Sequence, residues 1–352
     1  MKIVNVGLIG FGAAGKTFHE PIITSVPGLN LSKIYETNDS NIQILKTKYT
    51  DDMITNNIKD IFSDENIDLV VLSVPNIAHY DLAKQALESG KNVVVEKPFT
   101  VTSEEADKLI NLAGHKNKIL TVHQNRRWDS DFRTIEKIVK ENLLGDLVEY
   151  EAHYDRFRSY IKENSWREND IPGSGILYDL GAHLIDQAQC LFGVPEEIFA
   201  DLQIQRSEGK TIDNFEIILH YPKVKVTLKA GMLVREVGPH FSLYGKNGSF
   251  LKFGMDVQEA ALKKGLTPKN TENWGVEPES LWGKLDTEVN GSHFVGKIES
   301  ETGDYRKFYK NVYKAILGEE EIAVKAYQAR NTIKIIELAQ KSSSEKQWVK
   351  FQ

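Results

Sequence analysis

Residues 3–15 of the chain read IVNVGLIGFGAAG, an apolar run followed directly by a turn rich in glycine. The run is rich in Val and Ile, as in a strand buried within a parallel sheet. Three glycines follow with the spacing G-x-G-x-x-G. The first permits a tight turn, the second lets the backbone approach a pyrophosphate, and the third lets the next helix pack close to the strand. We therefore expect a phosphate-binding turn made of Gly10, Phe11, Gly12, Ala13 and Gly15.

An acidic residue closes the second predicted strand, residues 31–35. Glu36 comes 21 residues after Gly15, near the roughly 20 residues expected for an acid that binds the adenosine ribose. A carboxylate there accepts hydrogen bonds from ribose hydroxyls and repels the 2′-phosphate of NADP, which an Arg normally binds. Residues 37–39 contain no Arg, so Glu36 and Thr37 favour NAD over NADP. The alternative is that Glu36 is a solvated loop acid over which a neighbouring Lys folds.

Strands alternate with helices through residues 1–125. Apolar runs at 67–74, 93–95 and 119–123 are separated by helical patterns, which is typical of βαβ units and a parallel sheet. Such a sheet binds ligands at the carboxyl ends of its strands. We expect a dinucleotide-binding domain over residues 1–125, with cofactor contacts at this edge from Ser73, Pro75, Asn76, His79, Glu96 and Lys97.

The triplet Glu96-Lys97-Pro98 has two interpretations. Pro98 restricts Lys97 to an extended backbone, which aims the lysine at the predicted cofactor crevice. A charged turn after a strand is the simpler interpretation of the triplet taken alone.

The pattern changes after residue 125. Apolar and polar residues alternate at 148–155, 200–205 and 224–230, as in strands with one buried face and one polar face. The sequence therefore predicts an α/β protein: a Rossmann doubly wound parallel sheet, followed over residues 126–352 by an α+β domain. We expect that domain to contain a large, open, predominantly antiparallel sheet, to bind the substrate and to mediate oligomerisation.

One helical pattern in this second part carries a possible acid–base pair. Asp179 and His183 are four residues apart and share a helix face. A carboxylate beside an imidazole can hold its tautomer and raise its basicity, as a general base requires. The equally good alternative is an Asp favoured by the helix dipole and an ordinary surface His.

Composition excludes several classes of protein. The chain has 352 residues, of which 41% are hydrophobic and 27% charged, with a formal net charge of −6. That charge argues against a nucleic-acid partner, and no apolar run approaches the roughly 18 residues of a membrane helix. The single cysteine, Cys190, can form no internal disulfide, and no Cys cluster indicates a zinc site. We expect a cytoplasmic protein that binds neither nucleic acid nor membrane.

Together these motifs resemble the family of glucose–fructose oxidoreductases, inositol dehydrogenases and rhizopine-catabolism proteins, the Gfo/Idh/MocA family. The resemblance covers essentially the whole chain and, within the family, is strongest to the scyllo-inositol dehydrogenase branch. The stretches that carry it are 10–15, 96–98, 123–132, 154–158, 166–168 and 179–186.

The resemblance implies roles for particular residues. Lys97, Asp179 and His183 are implied as the catalytic group, with substrate held between the second domain's sheet and the nicotinamide. NADP-using members of the branch typically carry a small hydroxyl residue and an Arg after the second strand, and Glu36 departs from that pattern. The implied contacts to the cofactor are Asn125, Trp166 and Arg167, and those to the substrate are Arg126, Tyr154 and Arg156.

The implied reaction is oxidation of a ring alcohol of a cyclic polyol or sugar, with scyllo-inositol and inosose as the sharpest candidate pair. His183 takes the hydroxyl proton, Asp179 orients it, Lys97 stabilises the developing alkoxide, and no metal is required. Two alternatives stay open: a nicotinamide-binding regulator without turnover, and an aldose or dihydrodiol dehydrogenase. We expect a homodimer or homotetramer, because a broad open sheet invites pairing.

Overall fold

The computed structural model describes residues 2–163 and 165–352. Its strands are β1 (Val4–Ile9), β2 (Leu29–Tyr35), β3 (Ile54–Thr55), β4 (Leu69–Leu72), β5 (Asn92–Val95), β6 (Leu120–Val122), β7 (Leu147–His153), β8 (Glu197–Gln203), β9 (Asn214–His220), β10 (Lys225–Gly231), β11 (Phe241–Gly245), β12 (Gly248–Lys252), β13 (Gly283–Val289), β14 (Ser292–Ile298) and β15 (Val349–Lys350).

The α-helices of the described residues are α1 (Glu20–Ile23), α2 (Asp39–Lys46), α3 (Lys59–Phe62), α4 (His79–Glu88), α5 (Ser103–Lys116), α6 (Ser130–Lys140), α7 (Ala182–Phe192), α8 (Gln258–Lys263), α9 (Arg306–Ile316) and α10 (Ala326–Glu345). Two segments with π geometry, Gly15–His19 and Leu177–Gly181, run directly into α1 and α7. None of these helices is long and apolar enough to cross a membrane.

The first sheet has six parallel strands in the order β3-β2-β1-β4-β5-β6. Strand β4 is buried along its whole length, as its apolar sequence predicts. The strand order reverses between β1 and β4, and open α/β sheets bind ligands at such a switch point. The predicted doubly wound parallel sheet is confirmed.

The second sheet has nine strands in the order β14-β13-β12-β11-β7-β10-β9-β8-β15. Its pairings are antiparallel except between β7 and β10, which run parallel. Tyr150 and Ala152 of β7 are buried, and the Tyr150 ring meets Phe192 of α7 edge to face at 5.4 Å between centroids. Glu149 and Glu151 on the other face are half-buried. The predicted mainly antiparallel second sheet is confirmed.

The described chain divides into two compact units, and the division is not a single cut. The first unit contains 1–125, 258–274 and 304–330, and the second contains 126–257, 275–303 and 331–352. The division predicted from the sequence assigns everything after residue 125 to the second domain. It differs because 258–274 and 304–330 pack within the first unit. Packing between segments that are distant in the chain does not show in the local alternation of apolar and polar residues.

The last long helix differs from the sequence prediction at both ends. The pattern predicts a helix over 321–341 stopped by serines, whereas α10 starts at Ala326 and continues to Glu345. Ser342 Oγ accepts from the backbone N–H of Ala200 at 3.0 Å, and Ser343 Oγ accepts from that of Leu202 at 3.2 Å. Ser342 Oγ also donates to the carbonyl oxygen of Gln347, beyond the end of α10, at 2.7 Å. Because these bonds are made to groups outside α10, they do not compete with its backbone hydrogen bonds and do not stop the helix.

Candidate active site

The glycine-rich turn lies at the switch point of the first sheet. Gly10 has a φ of +95°, and a Cβ there would collide with the carbonyl oxygen of Ser73. A Cβ on Gly15 would collide with the carbonyl oxygen of Gly10. A Cβ on Gly12 would meet no described heavy atom within 4 Å. The fold therefore requires Gly10 and Gly15, while the open space at Gly12 fits the close approach of a pyrophosphate.

The Glu36 carboxylate is held by four N–H donors. Its Oε1 accepts from the backbone of Thr37 and Asn38 at 2.8 and 2.9 Å. Its Oε2 accepts from the backbone of Phe11 at 3.0 Å and from the Asn41 amide at 2.9 Å. Burial alone would raise the pKa of Glu36, but these hydrogen bonds bring it below its ordinary value. An ionised Glu36 thus ties its loop to the glycine turn.

Lys16, a cation that the sequence did not indicate, lies near Glu36. Lys16 Nζ lies 2.5 Å from Asn41 Oδ1 and 5.7 Å from the centre of the Phe11 ring. Lys16 belongs to the helix after the glycine turn, so a search of the loop after β2 does not find it. A carboxylate has about four lone-pair sites, and those of Glu36 are all used. A ribose hydroxyl would therefore share or replace one of the donors.

The predicted contacts at the ends of β4 and β5 lie at one edge of the first sheet, and several are buried. The His79 ring nitrogens lie 3.0 Å from the Val74 carbonyl oxygen and 2.9 Å from that of Pro98. Burial lowers the pKa of His79. The His79 ring therefore links the backbone after β4 to the backbone after β5. The residues of this set are Ser73, Pro75, Asn76, His79, Glu96 and Lys97.

The Glu96 carboxylate lies in a buried polar cluster. Its Oε1 is 2.8 Å from His19 Nε2 and 2.8 Å from His123 Nδ1, and its Oε2 accepts from the backbone N–H of Lys97 at 2.8 Å. The other nitrogen of His19, Nδ1, is 2.5 Å from the Tyr309 hydroxyl. The sequence predicts Glu96 as a cofactor contact. In the structure both of its carboxylate oxygens form hydrogen bonds with residues of the first unit.

The second unit groups three of the predicted residues. The His183 side chain, near the start of α7, is 5% exposed, and its ring centre lies 6.4 Å from that of Tyr154. The Arg126 guanidinium lies 5.5 Å from the centre of the Tyr154 ring and bonds Asp129 at 3.1 Å. His240 also lies next to Tyr154, 4.7 Å away between ring centres. An imidazole, a phenol and a guanidinium thus stand together.

Asp179 has a partner that the sequence did not indicate. It lies in the π segment before α7, and its Oδ1 is 3.4 Å from Arg167 Nε. The Arg167 guanidinium in turn stacks on the Trp166 ring at 4.7 Å. A π segment has a wider turn than an α-helix, so the helix face assumed from the spacing of Asp179 and His183 does not apply directly here.

Two further predicted residues are placed by backbone contacts. Asn125 is buried and starts a short 3₁₀ turn over 125–128. Arg156 is half-buried; its backbone N–H donates to Gly231 at 3.0 Å and its carbonyl accepts from Val234 at 3.1 Å.

Arg127 is a structural residue that sequence reasoning left unassigned. Its Nε and Nη2 each lie 2.7 Å from an oxygen of Asp186 in α7. Such a bidentate pair is geometrically specific, so it anchors Arg127 to the helix that carries His183.

Family models match both parts of the chain. The model described as an oxidoreductase family, NAD-binding Rossmann fold, matches residues 4–124, and that described as its C-terminal alpha/beta domain matches residues 136–351.

Several known proteins are similar over nearly their whole length. The scyllo-inositol 2-dehydrogenase (NADP(+)) IolW of Bacillus subtilis is 36% identical over 346 residues, covering 98% of this chain and 95% of its own. The uncharacterized oxidoreductase YdgJ of Escherichia coli is 40% identical, with 97% and 96% covered. A solved Bacteroides fragilis structure named as an oxidoreductase superposes with a TM-score of 0.91 at 43% identity, with 99% and 100% covered. With both domains matched, this chain is an enzyme that belongs to the Gfo/Idh/MocA family of NAD(P)-binding oxidoreductases.

Proposed function

We propose that the protein oxidises a secondary alcohol of a cyclic polyol or sugar, with scyllo-inositol and inosose as the substrate pair. The observation that carries this proposal is the grouping of His183, Tyr154 and Arg126 in the second unit. A molecule covered with hydroxyl groups needs several donors and acceptors in fixed positions, and these side chains supply them. The name of the relative from Bacillus subtilis supports this choice of polyol.

In this proposal each residue of the catalytic group has one task. His183 takes the proton of the reacting hydroxyl as general base, and Asp179 orients it. The ammonium group of Lys97 stabilises the developing alkoxide. When bound, the nicotinamide supplies the hydride acceptor. Tyr154, Arg126 and Arg156 hold the other hydroxyl groups of the ring.

The cofactor contacts in the proposal come mainly from the first unit. The glycine turn and the helical segment that begins there hold the pyrophosphate, because free N–H groups at a helix start attract an anion. The residues proposed to contact the cofactor are Gly10, Phe11, Gly12, Ala13, Gly15, Glu36, Thr37, Ser73, Pro75, Asn76, His79, Glu96, Lys97, Asn125, Trp166 and Arg167.

We propose NAD as the preferred cofactor, because the ionised Glu36 repels a 2′-phosphate. NADP is the second candidate, and one specific observation favours it. Lys16 Nζ is linked to Glu36 through Asn41, so its ammonium group stands within the same hydrogen-bond network. If Lys16 binds a 2′-phosphate, replacing it with Ala lowers kcat/KM for NADP more than for NAD. Equal losses of kcat/KM with the two cofactors would mean that Lys16 has only a structural role.

The proposal is tested by recording nicotinamide absorbance with purified protein, each cofactor, and a panel of inositols and aldoses. We expect turnover that is highest with scyllo-inositol or inosose. Turnover with aldoses alone would identify the protein as an aldose dehydrogenase instead. Nicotinamide binding that responds to polyols without any turnover would identify a regulator and contradict the proposal.

A further inference from the structure

Four polar side chains form a buried group next to Lys97, which we call the Glu96 cluster: Glu96, His19, His123 and Tyr309. All belong to the first unit, and their exposed fractions are 7%, 0%, 1% and 0% in that order. They come from different elements, because His19 ends the π segment after the glycine turn, Glu96 and His123 follow β5 and β6, and Tyr309 lies in α9. The cluster therefore links the helical segment after the glycine turn to the carboxyl ends of β5 and β6 and to α9.

The hydrogen bonds determine where the protons of the cluster lie. Glu96 Oε1 is an acceptor, so His19 must carry its proton on Nε2 and His123 its proton on Nδ1. His19 Nδ1 then accepts from the Tyr309 hydroxyl. His123 Nε2 is buried with no hydrogen-bond partner among the described residues, and a second proton there would be a buried, unsatisfied donor. This arrangement fits two neutral imidazoles and an ionised carboxylate.

The pKa values of His19 and Glu96 agree with the charges assigned to those two residues. Burial lowers the pKa of His19 to about 4, although Glu96 opposes the change. Burial would raise the pKa of Glu96, but the hydrogen bonds from His123 and His19 hold it well below its ordinary value.

The second oxygen of Glu96 connects the cluster to Lys97. With Oε1 fixed by two imidazole donors, the carboxylate cannot rotate, and Oε2 stays directed at the backbone N–H of Lys97, 2.8 Å away. The two rings are themselves packed together at 4.4 Å between centres, and His123 meets Phe308 edge to face at 4.9 Å. The cluster is thus built to hold one backbone position.

We propose that His19, Glu96 and His123 are positioning residues: two neutral histidines orient the Glu96 carboxylate, which fixes the backbone of Lys97 and so the place where its ammonium group acts. The inference rests on the role proposed above for Lys97. It assigns Glu96 a task distinct from contact with the cofactor.

Asn and Gln substitutions test the required donor positions. The Asn amide nitrogen mimics Nδ1 of histidine, whereas that of Gln mimics Nε2. His19→Gln and His123→Asn therefore keep a donor toward Glu96, while His19→Asn and His123→Gln move it away. We expect the first pair to keep kcat within about 3-fold and the second pair to lose about 10-fold or more. The Kd for NADH, measured by fluorescence, should stay unchanged in all four.

A role in packing alone predicts a different result, because the preference for Asn or Gln would not reverse between the two sites. The same ranking at both positions, or four equal kcat values, would overturn the inference. Lys97→Ala serves as the reference. If Lys97→Ala turns over normally, the proposed role of Lys97 is wrong. The arrangement of the Glu96 cluster is then tested by the tautomer and hydrogen-exchange measurements that follow.

Two measurements need neither turnover nor a stable variant of either histidine. In ¹⁵N spectra of the unmodified protein, His19 should be the Nε2–H tautomer and His123 the Nδ1–H tautomer. In Glu96→Gln, the amide NH₂ faces at least one N–H donor whichever way it turns, so hydrogen exchange at the Lys97 amide should accelerate about 10-fold or more.

The opposite tautomers, an imidazolium form, or unchanged exchange in a folded Glu96→Gln protein would contradict the inference. A metal ion is the competing occupant, since the ligand atoms of His19, Glu96 and His123 lie within 4.8 Å of one another. Stoichiometric zinc or cobalt that is lost in both His19→Gln and His123→Asn would therefore also overturn it.

Discussion

Glu36 illustrates what sequence spacing can predict about a single residue. Its distance from the glycine turn predicts an acid at the end of β2, because the length of a βα unit is restricted. Its partners include Phe11, 25 residues earlier in the chain, and a spacing rule does not specify them. The same holds for Glu96, because His19 and Tyr309, which interact within its cluster, are separated by 290 residues.

The charge at position 36 should control the preference between NAD and NADP. We expect higher kcat/KM with NAD than with NADP, and a shift toward NADP in the double variant Glu36→Ser, Asn38→Arg. The physical reason is removal of a negative charge and addition of a guanidinium for the 2′-phosphate. Steady-state kinetics with both cofactors measures the shift.

Asn38 also caps α2, since its side chain accepts from the backbone N–H of Asn41 at 3.1 Å. Its replacement should cost about 1 kcal/mol of stability, so the single variant Asn38→Arg is the matched control. A natural chain that turns over substantially faster with NADP would show that the acid at position 36 was misinterpreted.

At the scale of elements, local chemistry predicted the start of α5 but not the widened geometry of the segment before α7. The sequence of residues 102–105, Thr-Ser-Glu-Glu, predicts a capping box. Thr102 and Glu105 form it before α5, and it could be predicted because both partners lie within one turn. The π segment at Leu177–Gly181 was not foreseen, since a widened turn depends on packing around it. The location of the Asp179 side chain was therefore less predictable than that of the helix itself.

The start of α6 provides a prediction about pH. Asp131 is buried, and its Oδ2 lies 3.6 Å from His240 Nε2. Burial raises the pKa of Asp131 to about 7, with the carboxylates of Asp256 and Glu277 adding to the effect and Lys252 opposing it. The folded pKa is above the unfolded value of 3.8, so this group's stabilising contribution is lost as pH rises through about 7.

We therefore expect Asp131→Asn to raise the free energy of unfolding at about pH 8 by on the order of 1–2 kcal/mol, and by less at about pH 5. The neutral amide avoids the buried charge and can donate to the lone pair of His240. Urea unfolding of both proteins at the two pH values measures the difference. An equal effect at both would mean that Asp131 does not titrate in this range.

At the scale of the whole molecule, the fold class followed from the order of the patterns along the chain. Segments 258–274 and 304–330 contribute to the first unit, and only their packing reveals it. The open face of the second sheet carries half-buried charged residues such as Glu149, Glu151 and Lys229.

We predict a dimer or tetramer that assembles through this face, because a broad open sheet invites pairing and closed homo-oligomers are the common result. Light scattering at micromolar concentration should give a mass of two or four chains. A monomer mass under those conditions would contradict the prediction.

We propose that His183 and Lys97 act in the same catalytic step. We expect His183→Ala and Lys97→Ala each to lower kcat by roughly 100-fold or more, and the double variant to lose less than the product of the two. Binding of NADH should survive in His183→Ala, because the glycine turn and Glu36 are untouched.

The most direct measurement is the turnover of His183→Ala, followed by nicotinamide absorbance, on a polyol that the natural chain clearly oxidises. We expect a loss of roughly 100-fold or more with NADH binding unchanged. Turnover close to that of the natural chain would remove His183 from the mechanism and contradict its proposed role as general base.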